Sequence, residues 1–414
     1  MMPYYKRRLD NGLEVILSPN NNLHSASISV GFKYGLFNES NEVTGISHLI
    51  EHMLFEGAAK FSKKTLRDFL DNNTLYWNGE TSAEKTVYKF KFLNLFKSQY
   101  VFDTVSEMIF DSVFPEENLE KEKNALTNEV HANYGEDLVL EGAITRAYLF
   151  RKPVTTFLGG DPFKVEELSK DTLIDIYSKY YCPGNAIISV AGNFNRKRVM
   201  ESINNSFGNI KKENIQPNLE VYLGKTEYRS VHMKSFRPYS GQSSIIFGMK
   251  LPGAGELYKK SEEGVAALNY IRDILSSRLM ESMRDKAGLV YLSDSDISIG
   301  RHTGYLVTYA EVKNKDLEKV KKIMFNEIEK MINGDVIDKN ANRSKISLKA
   351  SLADTFDSTL DHSSYILDSA LEYGKDPNEI YKDVMNLKEE DVQAAAAEYL
   401  KNEGEDNSIL LISN

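Results

Sequence analysis

Two stretches of this chain match each other at a fixed offset, and that match limits the possible folds more than any other feature. Leu168-Ser-Lys-Asp-Thr-Leu173 leads to Tyr180 and then to the apolar run Ile187-Ile-Ser-Val190. Leu387-Lys-Glu-Glu-Asp-Val392 leads to Tyr399 and then to Ile409-Leu-Leu-Ile412. Leu168 and Leu387 are as far apart as Tyr180 and Tyr399. Each copy runs through a polar cap, an amphipathic helix, a loop and a strand. Two unrelated helix–strand units would also match this way. A polar dip at residues 211–218, containing Pro217, lies near the midpoint of the 414 residues and favours duplication.

The remaining elements are mixed. Residues 13–18 and 25–32 read as strands, with Pro19 ending the first. Residues 87–92 alternate, with Tyr88, Phe90 and Phe92 on one face and Lys89 and Lys91 on the other. Residues 265–286 carry apolar side chains at helical spacing and stop before Gly288. Helices and strands come in runs, so an α+β fold with mostly antiparallel sheets is expected.

Composition removes several function classes. The 60 acidic residues exceed the 51 basic ones, a net charge of −9, which argues against binding nucleic-acid phosphates. With 41% apolar and 11% aromatic residues the chain can build cores. Cys182 is the single cysteine, so neither an internal disulfide nor a four-cysteine zinc site exists. No apolar run approaches the roughly 20 residues of a membrane-spanning helix. Lys6, Arg7 and Arg8 have no apolar segment behind them, so the start does not read as a secretory signal, and a cytoplasmic location is expected.

The segment Gly45-Ile-Ser-His-Leu-Ile-Glu-His-Met-Leu-Phe-Glu-Gly57 carries the chemistry. On a helix, Ile46, Leu49, Ile50, Met53 and Leu54 form an apolar stripe. The other face holds His48, Glu51, His52 and Phe55 where solvated Lys or Glu would be ordinary. Histidines at i and i+4 project one turn apart and can reach one metal ion. Glu51 lies on the same side, placed to reach a water on that metal. Gly57 is the expected helix stop. A further ligand must come from elsewhere. The helix expected from Pro115 offers Glu122 and Glu129, seven residues apart on a face shared with Leu119, Ala125 and Leu126. The spacing alone leaves open which of the two glutamates would bind the metal.

At these residues the chain resembles the pitrilysin/insulinase family of zinc metallopeptidases, the inverzincins. It is most similar to the short-chain branch that includes the mitochondrial processing peptidases and their prokaryotic relatives. The resemblance begins at Leu9-Asp-Asn-Gly-Leu-Glu-Val15 and passes through the His48–His52 motif. It continues through Asn78-Gly-Glu-Thr81, Thr86-Val-Tyr88, Glu122 and Glu129 to Tyr181-Cys-Pro-Gly-Asn185.

The resemblance implies that His48, His52 and Glu129 bind one zinc per chain. It makes Glu122 a support behind the ligands and Glu51 the general base. It also implies two homologous α+β domains forming half of a clamshell: residues 1–212 with the metal, a linker at 213–219, and 220–414 without it. Arg284 and Tyr291 match the spacing of a family pair that faces the zinc from the second domain. An extended substrate peptide would lie along an edge strand at Asn78, Gly79, Glu80 and Thr81. Trp77 beside it fits a specificity pocket or the core. The implied activity is endopeptidase cleavage of small or unfolded peptides in an enclosed chamber. A homodimer is expected, or a heterodimer with a related subunit. The competing reading is a non-catalytic or partner-dependent subunit with a structural or substrate-binding role.

Overall fold

The structure, a computed structural model, describes residues 2–93, 95, 98–133, 137–150, 161–211, 229–233, 241–336, 339–401 and 408–413. The linker expected at 213–219 lies outside these residues. The chain forms two compact units, and neither is contiguous in sequence. The first comprises Met1–Ala132, Phe157–Glu220 and Ala353–Asn378; the second comprises Asn133–Thr156, Val221–Leu352 and Glu379–Asn414. A division into 1–212 and 220–414 therefore misses one exchanged segment in each direction.

The first unit is built on a sheet of six strands: β1 (Tyr5–Arg8), β2 (Glu14–Pro19), β3 (Ala26–Phe32), β4 (Tyr76–Thr81), β5 (Thr86–Phe92) and β6 (Ala186–Gly192). Their order is β1-β2-β6-β3-β5-β4. Only β2 and β6 pair in parallel. The second unit holds β7 (Arg229–Met233), β8 (Gln242–Pro252), β9 (Val290–Ile299), β10 (Thr303–Lys313) and β11 (Ser408–Ser413), in the order β9-β10-β8-β11-β7. Here β11 and β7 form the one parallel pair. Read from β2 and from β7, the two sheets have the same order and the same sense of pairing. The duplication read from the Leu168 and Leu387 segments is a duplication of topology, and the α+β expectation holds.

Local chemistry explains why these segments fold as they do. β3 and β6 are buried along their whole length, so both of their faces carry apolar, serine or glycine residues and neither carries a charge. In β5, Tyr88, Phe90 and Phe92 are buried while Lys89 and Lys91 are partly exposed, as the alternation required. The repeated helices are Lys170–Tyr180 and Glu389–Tyr399. Ser169 caps the first by accepting from the Thr172 N–H at 3.1 Å. In the second, Asp391 accepts from the Lys388 N–H at 2.9 Å.

The exchanged segments place one helix on each sheet. In the first unit, helix Thr359–Asp368 packs on β3 and β6. Ser27 and Thr359 hydroxyls lie 2.9 Å apart, Ser29 and Ser363 hydroxyls 2.8 Å apart, and Ser189 Oγ donates to the Ser363 carbonyl at 2.7 Å. Ile366, Leu367 and Leu371 pack with Ile16, Val87 and Ile187. Lys85 bonds Asp368 and lies 3.0 Å from Glu372. In the second unit, helix Asp137–Phe150 packs on β8 and β11.

A glycine at a matching position in each sheet permits this approach. Gly31 in β3 is flanked by Ile187 and Val87, and Gly248 in β8 by Ile409 and Val307. They are equivalent positions. A Cβ on Gly31 would come within 2.5 Å of Leu371, and one on Gly248 within 2.6 Å of Thr145. No helix among the described residues is long and apolar enough to cross a membrane.

Candidate metal centre

The motif helix runs from Ile46 to Met53, four residues short of the expected stop at Gly57. The chain turns at Leu54–Phe55, and Gly57 lies in a two-residue strand at φ 141°. The helix begins after Gly45, in the left-handed region at φ 89°. A buried carboxylate caps it. Glu39 accepts from the N–H groups of Gly45 at 2.7 Å and Ser47 at 2.9 Å, and from the Ser47 hydroxyl. Sequence reading did not assign Glu39, which stands too far before the helix for an ordinary capping pattern. Ile46, Leu49, Ile50, Met53 and Leu54 are fully buried, and this anchored stripe fixes the opposite face.

That opposite face meets the helix Glu116–Asn133, which begins one residue after Pro115. His48 Nε2 lies 3.8 Å from Glu129 Oε1, and His52 Nε2 lies 3.5 Å from Glu129 Oε2. One donor atom from each of His48, His52 and Glu129 falls within 4.8 Å of the others, the one such group of three found among the described residues. The set fits zinc. Tetrahedral bonds of about 2.0–2.1 Å put ligand atoms about 3.3 Å apart, and two imidazoles plus one carboxylate leave a fourth position open. The face of the second helix differs from the one expected. Leu119, Lys123, Leu126 and Val130 form its buried stripe, whereas Ala125 and Glu129 are exposed. Glu129 thus reaches the histidines from the rim of the stripe.

Glu122 stands behind this group. Its Oε2 is 3.2 Å from His52 Nδ1 and its Oε1 is 3.7 Å from Lys63 Nζ. The bond to His52 holds the Glu122 carboxyl below its usual range. Burial pulls the His52 imidazolium down, but Glu122 and Glu129 outweigh it and raise it to about 9. A carboxylate on Nδ1 fixes the tautomer and aims Nε2 at Glu129, as an outer partner of a metal-binding histidine does.

Glu51 is 7% exposed, and burial pushes its carboxyl up to about 7. Thr81 Oγ1 donates to Glu51 Oε2 at 2.6 Å. Gly79 makes room, since a Cβ there would sit 2.6 Å from Glu51 Oε1. Both belong to β4, the outermost strand of its sheet, paired only with β5 among the described residues. Pleating divides the four expected substrate residues. Gly79 and Thr81 face Glu51; Asn78 and Glu80 are exposed, with Glu80 2.6 Å from Lys89 Nζ. Trp77 is partly buried, 5.0 Å from the Phe55 ring and under the Arg67 guanidinium at 5.2 Å.

Arg284 and Tyr291 belong to the second unit. Arg284 lies in the π-helical turn Met280–Lys286, which continues helix Gly264–Leu279, and Tyr291 lies in β9. The Arg284 guanidinium is 5.3 Å from the centre of the Tyr291 ring, which is 82% exposed. Two donor-bearing side chains are thus presented together. Cys182 is buried before the turn that leads into β6, away from the His48–His52–Glu129 group in sequence and element.

Known peptidases resemble this chain over most of its length. Residues 14–159 match the family described as Insulinase (Peptidase family M16), and residues 167–348 match Peptidase M16 inactive domain. The chain belongs to this insulinase family of peptidases. It is 26% identical over 392 residues to a Rickettsia felis protein named an uncharacterized zinc protease, covering 93% of this chain and 92% of that one. Over 207 residues, 50% of this chain and 39% of the other, it is 25% identical to a probable mitochondrial-processing peptidase subunit beta of Arabidopsis thaliana. A solved Helicobacter pylori protease shares the fold over 100% of both chains, with a TM-score of 0.85 and 20% identity.

Proposed function

We propose that this chain is a zinc-dependent endopeptidase that cleaves small or unfolded peptides, with Glu51 as its general base. One observation carries the reading: the His48–His52–Glu129 donor group has a buried carboxylate beside it on the same helix face. Zinc bound to these residues would supply Lewis acidity toward the scissile carbonyl and an acidified water. Glu51 takes the proton of the attacking water and returns it to the leaving amine. Thr81 holds one oxygen of Glu51, leaving Oε1 for that proton. The free edge of β4 offers main-chain hydrogen bonds to an extended peptide, giving affinity with little sequence demand. The family resemblance, on the spacing of Arg284 and Tyr291, adds these two as donors for the developing oxyanion. The family resemblance adds a second chain, most simply another copy, to enclose the substrate.

The retained donors favour this reading over a purely structural subunit, because a non-catalytic role gives no reason to bury Glu51 beside two histidines. The test is Glu51→Gln. It should retain zinc and lower the cleavage rate of an unstructured peptide by about 10²–10⁴-fold. Cleavage at the wild-type rate with zinc bound would remove Glu51 from its role.

A further inference from the structure

Lys6, Arg7 and Arg8 have no part in the metal centre. They belong to β1, every residue of which is exposed. From β2 onward the two sheets share one order, and no described strand of the second sheet stands in the place of β1. β1 is therefore an addition to the repeated core. It pairs with β2 alone among the described residues, so its outer edge is free.

A groove of about 460 Å³ lies between β1 and the helix Arg196–Phe207, inside the first unit. Its floor is apolar, made by Leu17, Met200 and the Tyr5 ring. Its rim is cationic. Lys6 and Arg7 come from β1, and Arg196 and Lys197 from the helix. The Arg196 guanidinium lies 4.1 Å from the centre of the Tyr5 ring. Glu201 is the one carboxylate in this wall among the described residues. Arg8 and Arg198 follow in the same two elements, and all six cations are exposed in a chain of net charge −9. Lys6 lies 2.8 Å from Glu14; the others have no ion-pair partner among the described residues.

Protection of a free edge accounts for charge on β1. It does not account for three cations opening the neighbouring helix, where the helix dipole disfavours them. Pairing β1 with β1 of a second copy would set Lys6, Arg7 and Arg8 of two chains against each other. An acidic segment meets complementary charge instead. Its main-chain groups can bond the free edge, and an apolar side chain can fill the groove. A nucleic acid carries the charge but has no peptide groups for that edge.

We propose that β1 is a docking edge for an acidic, extended peptide segment of a partner protein. The segment adds as a further strand, sets carboxylates against Arg7, Arg196 and Lys197, and places one apolar side chain in the groove. The probe is a labelled heptapeptide with leucine at its centre and glutamate elsewhere, compared with the same peptide carrying glutamine. Fluorescence anisotropy on the full chain should show the glutamate peptide binding at least about tenfold more tightly. Strand addition is read separately. Of two versions N-methylated on alternate amides, one should lose binding at least about fivefold, because only one set of N–H groups faces β1. Arg7→Gln and Lys197→Gln, both at exposed positions, should each weaken the glutamate peptide several-fold. Equal binding of the glutamate and glutamine peptides, full binding by both methylated versions, or no loss in either variant overturns the proposal. An oligonucleotide of equal charge that binds as tightly as the peptide overturns it too, by making the patch a general polyanion site. β1 and β4 are opposite edges of the sheet and binding is read without cleavage, so the outcome is independent of the peptidase reading.

Discussion

The motif helix Ile46–Met53 and the helix Gly264–Leu279 occupy the same place in their two units. Each lies in sequence between the central strand, β3 or β8, and the edge strand, β4 or β9. Their buried faces differ in kind. The second buries Val265, Leu268, Ile271, Ile274 and Leu275, and its buried Arg278 bonds the Asp335 carbonyl and lies 3.2 Å from its carboxylate. The first buries His48 and Glu51. One strand order folds with either face, so the fold does not require the polar one. Burial that pushes Glu51 up to about 7 is a cost the first unit bears and the second avoids.

The comparison can be broken or sharpened by experiment. The largest expected effect concerns the helices the units exchange. His362, on the helix packed against β3, is buried beside Tyr4 Oη at 3.1 Å, and burial holds its imidazole down to about 4. Its unfolded value is 6.5, so above that pH its contribution is complete. As pH falls from 6.5 toward 4 the unfolded chain takes up a proton the folded chain refuses. About 3 kcal/mol should be lost over that window. Denaturant titrations of wild type and His362→Gln across pH 4–7 check this. An identical pH slope in both would refute it.

Next in size are the paired glycines. Gly31→Ala and Gly248→Ala should each destabilise by about 1–3 kcal/mol, because each new methyl meets the exchanged helix. Tolerance at one site alone would mean that the two contacts are not equivalent. The smallest effect is a gain. Glu51→Met should stabilise the zinc-free chain by about 1 kcal/mol while abolishing cleavage, since it removes a buried carboxyl from a helix that packs without one. A loss of stability in thermal unfolding would show that the Thr81 bond outweighs burial.

The local parts of this account were legible in the sequence. The alternation of β5, the face of His48, Glu51 and His52, and the repeated helix–strand units all rest on spacing within a few residues. What escaped depends on contacts between distant segments. Nothing near 133–156 or 353–378 states that each packs on the other sheet; tight positions such as Gly31 and Gly248 record it, and they gain meaning once the register is known. Ala125 looked buried because spacing fixes a face but not its width, and that stripe narrows to Leu119, Lys123, Leu126 and Val130. Glu39 was missed because its cap closes a turn by tertiary geometry. Between Glu122 and Glu129 the spacing left the choice open. The structure separates them, with Glu129 near Nε2 of both histidines and Glu122 on Nδ1 of His52.

The central claim is that one of two topologically equal units carries the metal chemistry. Zinc content of the purified chain, measured with peptide cleavage, tests it most directly. The account predicts about one zinc per chain, lost together with cleavage in His48→Ala. A His48→Ala chain that keeps its zinc and its cleavage would contradict it.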